Sequence, residues 1–160
     1  MVANEPWQKV GFRPLSAVSD RLAMTQAAVQ GLDGIEASDL EIQRGGPTYS
    51  IDTLEFLRRT APDQQLFLIV GADAAANLHT WQRYEELPEL ATLVIVDREG
   101  DHTVEPLVDW DIVRVAIPRL DISSSDLRDR VRNGRPLEPL VVPSVINEIQ
   151  ARGLYGLADS

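Results

Sequence analysis

The sequence contains no cysteine, and this absence excludes several kinds of chemistry. No disulfide, thiolate metal ligand or thiol nucleophile is possible. Histidine is scarce as well, since His79 and His102 are the only two and their spacing fits no helical metal pair. Apolar runs such as Leu66–Val70 are far shorter than the roughly 20 residues that cross a bilayer. We therefore expect a cytoplasmic protein without a leader or a membrane anchor, and no protein-bound metal.

Positive charge is also in short supply. Lys and Arg together number 15 against 25 Asp and Glu, which gives a net charge of −10 and an isoelectric point of about 4.6. This is the wrong sign for a nucleic-acid or anionic-membrane surface. The length of 160 residues with 44% hydrophobic residues predicts a single globular domain, residues 1–160. Composition leaves a homo-oligomer open.

Short β-rich runs alternate with helical segments along the chain. The predicted strands are Ile35–Ile42, Gln65–Val70, Ala91–Asp97 and Ile112–Ile117. Nearly unbroken apolar runs are typical of parallel strands that are covered on both faces. The alternation therefore predicts an α/β domain with a parallel sheet.

Capping residues and apolar spacing mark the helices between these strands. The predicted helices begin at Ser50, at Ser16 or Ser19, and at Ser144. The first of them has an apolar face, acidic residues early and arginines late, as the helix dipole favours.

The sharpest site signal is a serine-rich helix start. Ser123 is a candidate N-cap, and Asp126 follows three residues later as in a capping box. The free N–H groups and positive dipole end of a helix bind anions, and the hydroxyls of Ser124 and Ser125 add donors. Arg128 leans back towards that end and reaches an anion there. This pattern favours a phosphate site, and the alternative is an ordinary capped helix with a solvated arginine face.

Two other segments offer groups for a nucleotide. Gly71 ends an apolar strand and permits close approach of a ligand, while Asp73 either accepts from ribose hydroxyls or caps the next helix. Tyr49 and Ser50 are delivered by a tight turn to a helix start. Trp81 either stacks on a flat ring or fills the core.

Seven segments occur in a fixed order along the chain: Pro6-Trp7-Gln8-Lys9, Arg21 with Met24, Gly45 to Leu54, Gly71-Ala72-Asp73-Ala74, Thr80-Trp81, Ile122 to Arg128, and Gly153-Leu154-Tyr155. Together they resemble the bacterial nicotinate-nucleotide adenylyltransferase family. The resemblance implies a Rossmann-like doubly wound parallel sheet of the nucleotidyltransferase type. It also implies transfer of the adenylyl group of ATP, with Mg²⁺, to nicotinate mononucleotide, which gives deamido-NAD and pyrophosphate.

The resemblance implies a role for each matching residue. The ATP phosphates would be bound by Ser123, Ser124, Ser125 and Arg128, and the adenosine by Gly71 and Asp73. The nicotinate mononucleotide would be bound by Lys9, Tyr49, Ser50, Trp81 and the main chain of Gln82. In this set Lys9 meets the phosphate, Trp81 stacks on the ring, and the other three meet the carboxylate. Ser50 stands where the family often has threonine, so the hydroxyl is kept.

One motif of the family, the glycine-rich start with HxGH, has no counterpart in this sequence. The resemblance places Met1 near the end of the family's second strand, so we expect the first strand, the first helix and most of the second strand to be missing from this chain. Either the reading frame continues upstream or a partner supplies those strands. His79 and His102 do not replace the motif, and no catalytic residue is assigned.

Two alternatives to the leading function stay open. One is a binding-only or catalytically dead remnant of the family. The other is a related nucleotidyltransferase with a different acceptor, such as the amide nucleotide or a phosphopantetheine precursor.

Overall fold

A computed structural model describes residues 5–6, 15–98 and 108–156. Its strands are β1 (Glu5–Pro6), β2 (Pro47–Thr48), β3 (Phe67–Gly71), β4 (Thr92–Arg98) and β5 (Ile112–Ile117). Its α-helices are α1 (Val18–Val29), α2 (Leu40–Arg44), α3 (Ser50–Thr60), α4 (Ala72–Ala76), α5 (Ser124–Arg132) and α6 (Pro143–Ala151). Short 3₁₀ helices cover Leu78–Thr80 and Tyr84–Glu89. None of the described helices is long and apolar enough to cross a membrane.

The chain divides into two compact units. The central unit is Thr48–Leu120, and the terminal unit combines Met1–Pro47 with Asp121–Ser160. The prediction of one domain over residues 1–160 stays a prediction.

A parallel three-stranded sheet forms the centre of the central unit. Its strand order is β3-β4-β5, and both neighbouring pairs are parallel. The register places Ile69 beside Val94 and Val94 beside Val113. The predicted parallel sheet is confirmed for these three strands, and β1 and β2 form a separate two-stranded sheet.

The two faces of the parallel sheet differ in burial because successive side chains of a strand point to opposite sides. On one face Val70, Leu93 and Ile95 are buried in a core with Ile51 and Leu54 of α3. The other face carries exposed apolar residues, namely Phe67, Ile69, Val113, Val115 and Ile117. The core of this unit therefore lies on one side of the sheet.

Helix α3 is amphipathic and covers the buried face. Tyr49 is its N-cap in extended conformation, and Ser50 is the first helical residue and makes no side-chain cap, which corrects the prediction that Ser50 caps. The Nε of Arg58 donates to the carbonyl of Leu90 over 3.1 Å, which ties the last turn of α3 to the residues just before β4.

The terminal unit is helical and has its own apolar core. Leu137, Ile146 and Ile149 are buried there. Against them pack Met24, Leu127, Val131, Val141, Val145, Leu154 and Tyr155. The core therefore draws on α1, α5, α6 and the C-terminal residues that carry the Gly-Leu-Tyr segment.

Two predicted serine caps in the terminal unit are wrong. Helix α1 has Ala17 as its N-cap, and α6 follows Val142 with Pro143 at its first position, where the fixed φ of proline suits a helix start. The hydroxyl of Ser144 donates instead to the carbonyl of Ala27 over 2.7 Å. That serine therefore joins α6 to α1.

The predicted strand at Ile35–Ile42 is also wrong. Residues 35–39 form no strand in the structure, and α2 begins at Leu40. The hydroxyl of Ser38 accepts from the N–H of Leu40 over 3.4 Å, and the carboxylate of Asp39 accepts from the Gln43 side chain over 2.9 Å. Such short-range bonds compete with strand pairing and favour a helical turn.

Candidate functional site

The start of α5 has the cap that the sequence predicts. Ser123 is extended, and its Oγ accepts from the main-chain N–H of Asp126 over 3.0 Å. The N–H groups of the next two residues face no helical carbonyl, as at every helix start. Ser123, Ser124 and Ser125 are exposed. The helix end therefore presents hydroxyls, N–H groups and a positive dipole to solvent.

Arg128 differs from the other arginines near α5 in what its guanidinium contacts. Arg130 and Arg135 pair with the carboxylate of Asp126, and Arg132 pairs with Asp129. Arg128 donates instead to the hydroxyl of Ser125 over 3.2 Å. It is half-buried and carries a positive charge towards the helix start, which is where the sequence places a phosphate.

A cavity of about 160 Å³ lies beside this helix end within the terminal unit. Its walls are mostly apolar and come from α5, α6, the segment between these helices, Met24 and Tyr155, while Ser124 and Arg128 are polar residues of the lining. Arg128 therefore lines a mostly apolar cavity, where a charge interacts more strongly with an anion than it does in water.

The carboxyl end of β3 is open at Gly71. Nothing lies within 4 Å of the position that a Cβ would take there. Its φ is −78°, which any residue adopts, so the fold itself does not require glycine. Asp73 follows in the first turn of α4 and is exposed. Both residues lie where open α/β sheets bind nucleotides.

The described residues that are predicted to bind the nicotinate group lie in two places in the central unit. Tyr49 and Ser50 form the start of α3 and are half-buried. Trp81 and Gln82 lie in a turn between the two 3₁₀ helices. Tyr49 and Trp81 pack against the same apolar core, so the two segments share a scaffold.

The fold packs the ring of Trp81 but leaves its N–H donor without a hydrogen bond to the described residues. Its ring packs against the core, and its Nε1 is buried with no hydrogen-bond partner among the described residues. Leaving a buried donor unpaired costs about 1–3 kcal/mol. No main-chain carbonyl of residues 15–98 or 108–156 accepts from the N–H of Gln82. This turn thus offers a donor and a flat aromatic side chain.

Sequence reasoning missed Arg83, the next residue of the turn. We name residues 81–83 the acceptor turn. Arg83 has φ 52° and ψ 42°, a left-handed conformation that costs a residue with a side chain about 1–2 kcal/mol. Its guanidinium binds both carboxylate oxygens of Glu86, and its Nη2 donates to Glu55 of α3 over 2.6 Å. The spacing of Arg83 and Glu86 is visible in the sequence, but the partner 28 residues earlier is not.

These contacts also change the charge properties of the acceptor turn. The hydrogen bonds to Glu86 and then to Glu55 raise the pKa of Arg83 further above its ordinary value. The hydrogen bond from Arg83 lowers the pKa of Glu86 below its ordinary value. Arg83 and Glu86 therefore stay charged at neutral pH.

The predicted site residues fall into three groups. Gly71, Asp73, Tyr49, Ser50, Trp81 and Gln82 lie in the central unit, and Ser123, Ser124, Ser125 and Arg128 lie in the terminal unit. Lys9 and His102 lie outside the described residues. His79 lies exposed in the first 3₁₀ helix, and no group of three metal-ligating side chains occurs in the described ranges.

Comparison with known proteins gives the family. Residues 1–130 match the model of the cytidylyltransferase-like family. A Frankia casuarinae protein described as "Probable nicotinate-nucleotide adenylyltransferase" is 43% identical over 96% of this chain and 81% of its own length. A Streptomyces coelicolor protein of the same description is 44% identical over 95% of this chain and 81% of its own length. This chain belongs to the nicotinate-nucleotide adenylyltransferase family.

A solved structure agrees with the family in fold. The Plasmodium falciparum nicotinic acid mononucleotide adenylyltransferase complexed with NaAD superposes with a TM-score of 0.69 at 20% identity. The superposition covers 91% of this chain and 77% of the Plasmodium falciparum chain. The predictions of the family, of a nucleotidyltransferase enzyme and of an α/β fold with a parallel sheet are confirmed.

Proposed function

We propose that this protein transfers the adenylyl group of ATP to nicotinate mononucleotide, releasing pyrophosphate and forming deamido-NAD. The observation that carries the proposal is the start of α5, where a capped helix end and Arg128, bonded to a serine hydroxyl rather than a carboxylate, suit a polyphosphate. The names of the relatives supply the acceptor.

The predicted site residues divide the two substrates between them. Ser123, Ser124, Ser125 and Arg128 bind the ATP phosphates, and Gly71 with Asp73 faces the adenosine. Tyr49, Ser50 and the N–H of Gln82 meet the nicotinate carboxylate, with Trp81 stacked on the ring. Lys9 meets the mononucleotide phosphate. Neutral donors hold the carboxylate in this arrangement, so an amide, whose NH₂ group is itself a donor, would fit less well.

The chemistry is a single displacement at the α-phosphorus of ATP. A phosphate oxygen of the mononucleotide forms the new bond, the bond to the oxygen bridging the α- and β-phosphorus breaks, and pyrophosphate leaves with that electron pair. No covalent enzyme intermediate forms. The protein aligns the two nucleotides and neutralises the charge that develops on the phosphates.

Nucleotidyltransferases typically use a divalent metal, and we expect Mg²⁺ to enter as part of the MgATP substrate. Mg²⁺ is commonly held through substrate phosphates and water rather than by an all-protein cage. This fits the donor set of the described residues, which gathers no three carboxylates or histidines. A chelator is expected to stop pyrophosphate release, and added Mg²⁺ to restore it.

The test is a coupled assay of pyrophosphate release from MgATP with nicotinate mononucleotide. It is run on the 160-residue chain and on a version that begins with the glycine-rich HxGH segment of a relative. Activity that appears only in the extended version supports the substrate assignment and the need for that segment. Activity in the 160-residue chain supports the same substrates and shows that the segment is dispensable.

Other outcomes identify the alternatives. Calorimetric binding of both nucleotides without turnover by either version favours a binding-only member of the family. Comparable turnover of nicotinamide mononucleotide, or turnover of a phosphopantetheine precursor alone, overturns the acceptor. No binding of either nucleotide overturns the proposal as a whole.

A further inference from the structure

Arg83 joins two segments that the proposed function assigns to one substrate. Its own backbone continues the turn that holds Trp81 and Gln82, while its guanidinium reaches Glu55 of α3. Helix α3 begins at Ser50, directly after Tyr49. A single side chain thus links the acceptor turn to the helix that presents the other carboxylate-binding residues.

The link is geometrically restrictive. Glu86 binds the guanidinium through two oxygens, with Nε to Oε1 at 2.8 Å, and fixes its plane. The main-chain N–H of Glu86 donates to the carbonyl of Arg83 over 3.0 Å, so the backbone of the turn is held as well. A lysine would supply the charge but not the planar fork.

The conformation of Arg83 also bears on its neighbours. Arg83 adopts its left-handed conformation directly after Gln82, whose N–H is one of the proposed donors to the carboxylate. The adjacent Tyr84 is buried in the core and anchors the far side of the turn. Arg83 therefore lies between an anchored residue and the residues that face the acceptor.

We propose that Arg83 is a positioning residue that holds the acceptor turn against α3 and so sets the preference for the acid over the amide form of the mononucleotide. The proposal rests on the proposed function, because it assigns Arg83 a role towards that acceptor. Arg83 touches no substrate in this scheme and acts through Gln82 and Trp81.

The test compares three variants of the full chain. Arg83→Gly removes the side chain and keeps a residue that adopts positive φ readily. Arg83→Lys keeps the charge. The matched control is Arg152→Ala, since Arg152 also joins two carboxylates on different helices, Glu148 over 2.7 Å and Asp20 over 3.0 Å.

Arg83→Gly is expected to raise KM for nicotinate mononucleotide about tenfold, as for a substrate-positioning group that has moved slightly, with KM for MgATP unchanged. The ratio of kcat/KM for the acid nucleotide to that for the amide nucleotide is also expected to fall in Arg83→Gly. Arg83→Lys is expected to show a smaller rise in KM and a smaller fall in this ratio. Calorimetric affinities for the acid and amide nucleotides give the corresponding ratio of binding constants without turnover.

Two results overturn the inference. One is an unchanged KM and acid-over-amide ratio in Arg83→Gly. The other is a uniform loss of activity with both substrates that Arg152→Ala reproduces, which indicates general stabilisation only. If neither the 160-residue chain nor its extended version binds or uses nicotinate mononucleotide, the proposed function fails and this inference fails with it. A parent that uses this substrate normally, together with an unaffected variant of the same version, overturns the inference alone.

Discussion

At the scale of single residues, Arg128 stands out because a hydroxyl rather than a carboxylate accepts from its guanidinium. A charge-assisted hydrogen bond contributes about 1.5–3 kcal/mol. Arg128→Ala is therefore expected to weaken MgATP binding about 10- to 100-fold by titration calorimetry.

Arg132→Ala is the control for Arg128, because Arg132 lies on the same helix and already pairs with Asp129. It is expected to leave MgATP affinity within about twofold of the parent, as is usual for a surface ion pair. Equal weakening by the two substitutions would show that Arg128 has no special role.

Gly71 provides a second test at this scale. Its φ of −78° and the open space around its Cα allow an alanine without strain. Gly71→Ala is therefore expected to raise the free energy of unfolding by about 0.4–1 kcal/mol, because the unfolded chain loses freedom. The added methyl group occupies space next to the proposed adenosine site, and we expect MgATP binding to weaken about tenfold. A Gly71→Ala variant that is more stable but binds MgATP with unchanged affinity would show that Gly71 does not lie at the adenosine site.

At the scale of elements, the ion pair between Arg83 and Glu86 at the start of the second 3₁₀ helix depends on pH. The pKa of Glu86 is lowered in the folded protein by the hydrogen bond from Arg83. A lowered pKa stabilises the fold at pH above the ordinary value of 4.5 and loses this contribution as pH falls through the folded value. Glu86→Gln is therefore expected to be less stable than the parent at neutral pH and to approach it in acid.

Urea unfolding of both proteins between about pH 3 and 7 measures this difference. Glu85→Gln is the control, since it removes the same charge from the neighbouring position. A stability difference between Glu86→Gln and the parent that stays constant across this range would contradict the role of the ion pair.

The elements also show what the sequence can and cannot predict. The strand at Ile112–Ile117 has the same bounds in prediction and structure, because a β-branched run between polar loops has one plausible conformation. The start of α5 was predicted correctly because a cap depends on neighbours within four residues. The segment Ile35–Ile42 was assigned wrongly because its isoleucines suit a strand while Ser38 and Asp39 bond locally to the next turn. Arg83 was missed because its contact with Glu55 depends on tertiary packing.

At the scale of the whole molecule, the family and the parallel sheet follow from the order of motifs and of apolar runs. The division into two units does not, because the pattern of α1 says nothing about which distant helix it packs against. The role of Lys9 in binding the mononucleotide phosphate stays a prediction, as do the roles of the other site residues.

The exposed face of the parallel sheet gives a prediction for the molecule as a whole. Ile69 is 66% exposed and Phe67 50% exposed, and Val113 lies on the same face. Contiguous apolar surface binds hydrophobic dyes and promotes association. We expect the parent to enhance the fluorescence of such a dye and Ile69→Thr to reduce the signal.

Leu120→Thr is the matched control, since Leu120 is 64% exposed but lies beyond the last strand. It is expected to change the dye signal less than Ile69→Thr. A signal that neither substitution alters would show that the dye binds elsewhere.

The hydrogen bond between Ser144 and Ala27 joins partners that are 117 residues apart, and this separation affects how the protein is made. A ribosome adds about 5–20 residues per second, so roughly 6–23 s pass between the synthesis of the two partners. The central unit is contiguous and is complete before α6 exists. During those seconds α1 lacks the helix that it packs against, so the side of α1 that α6 later covers stays exposed on the nascent chain.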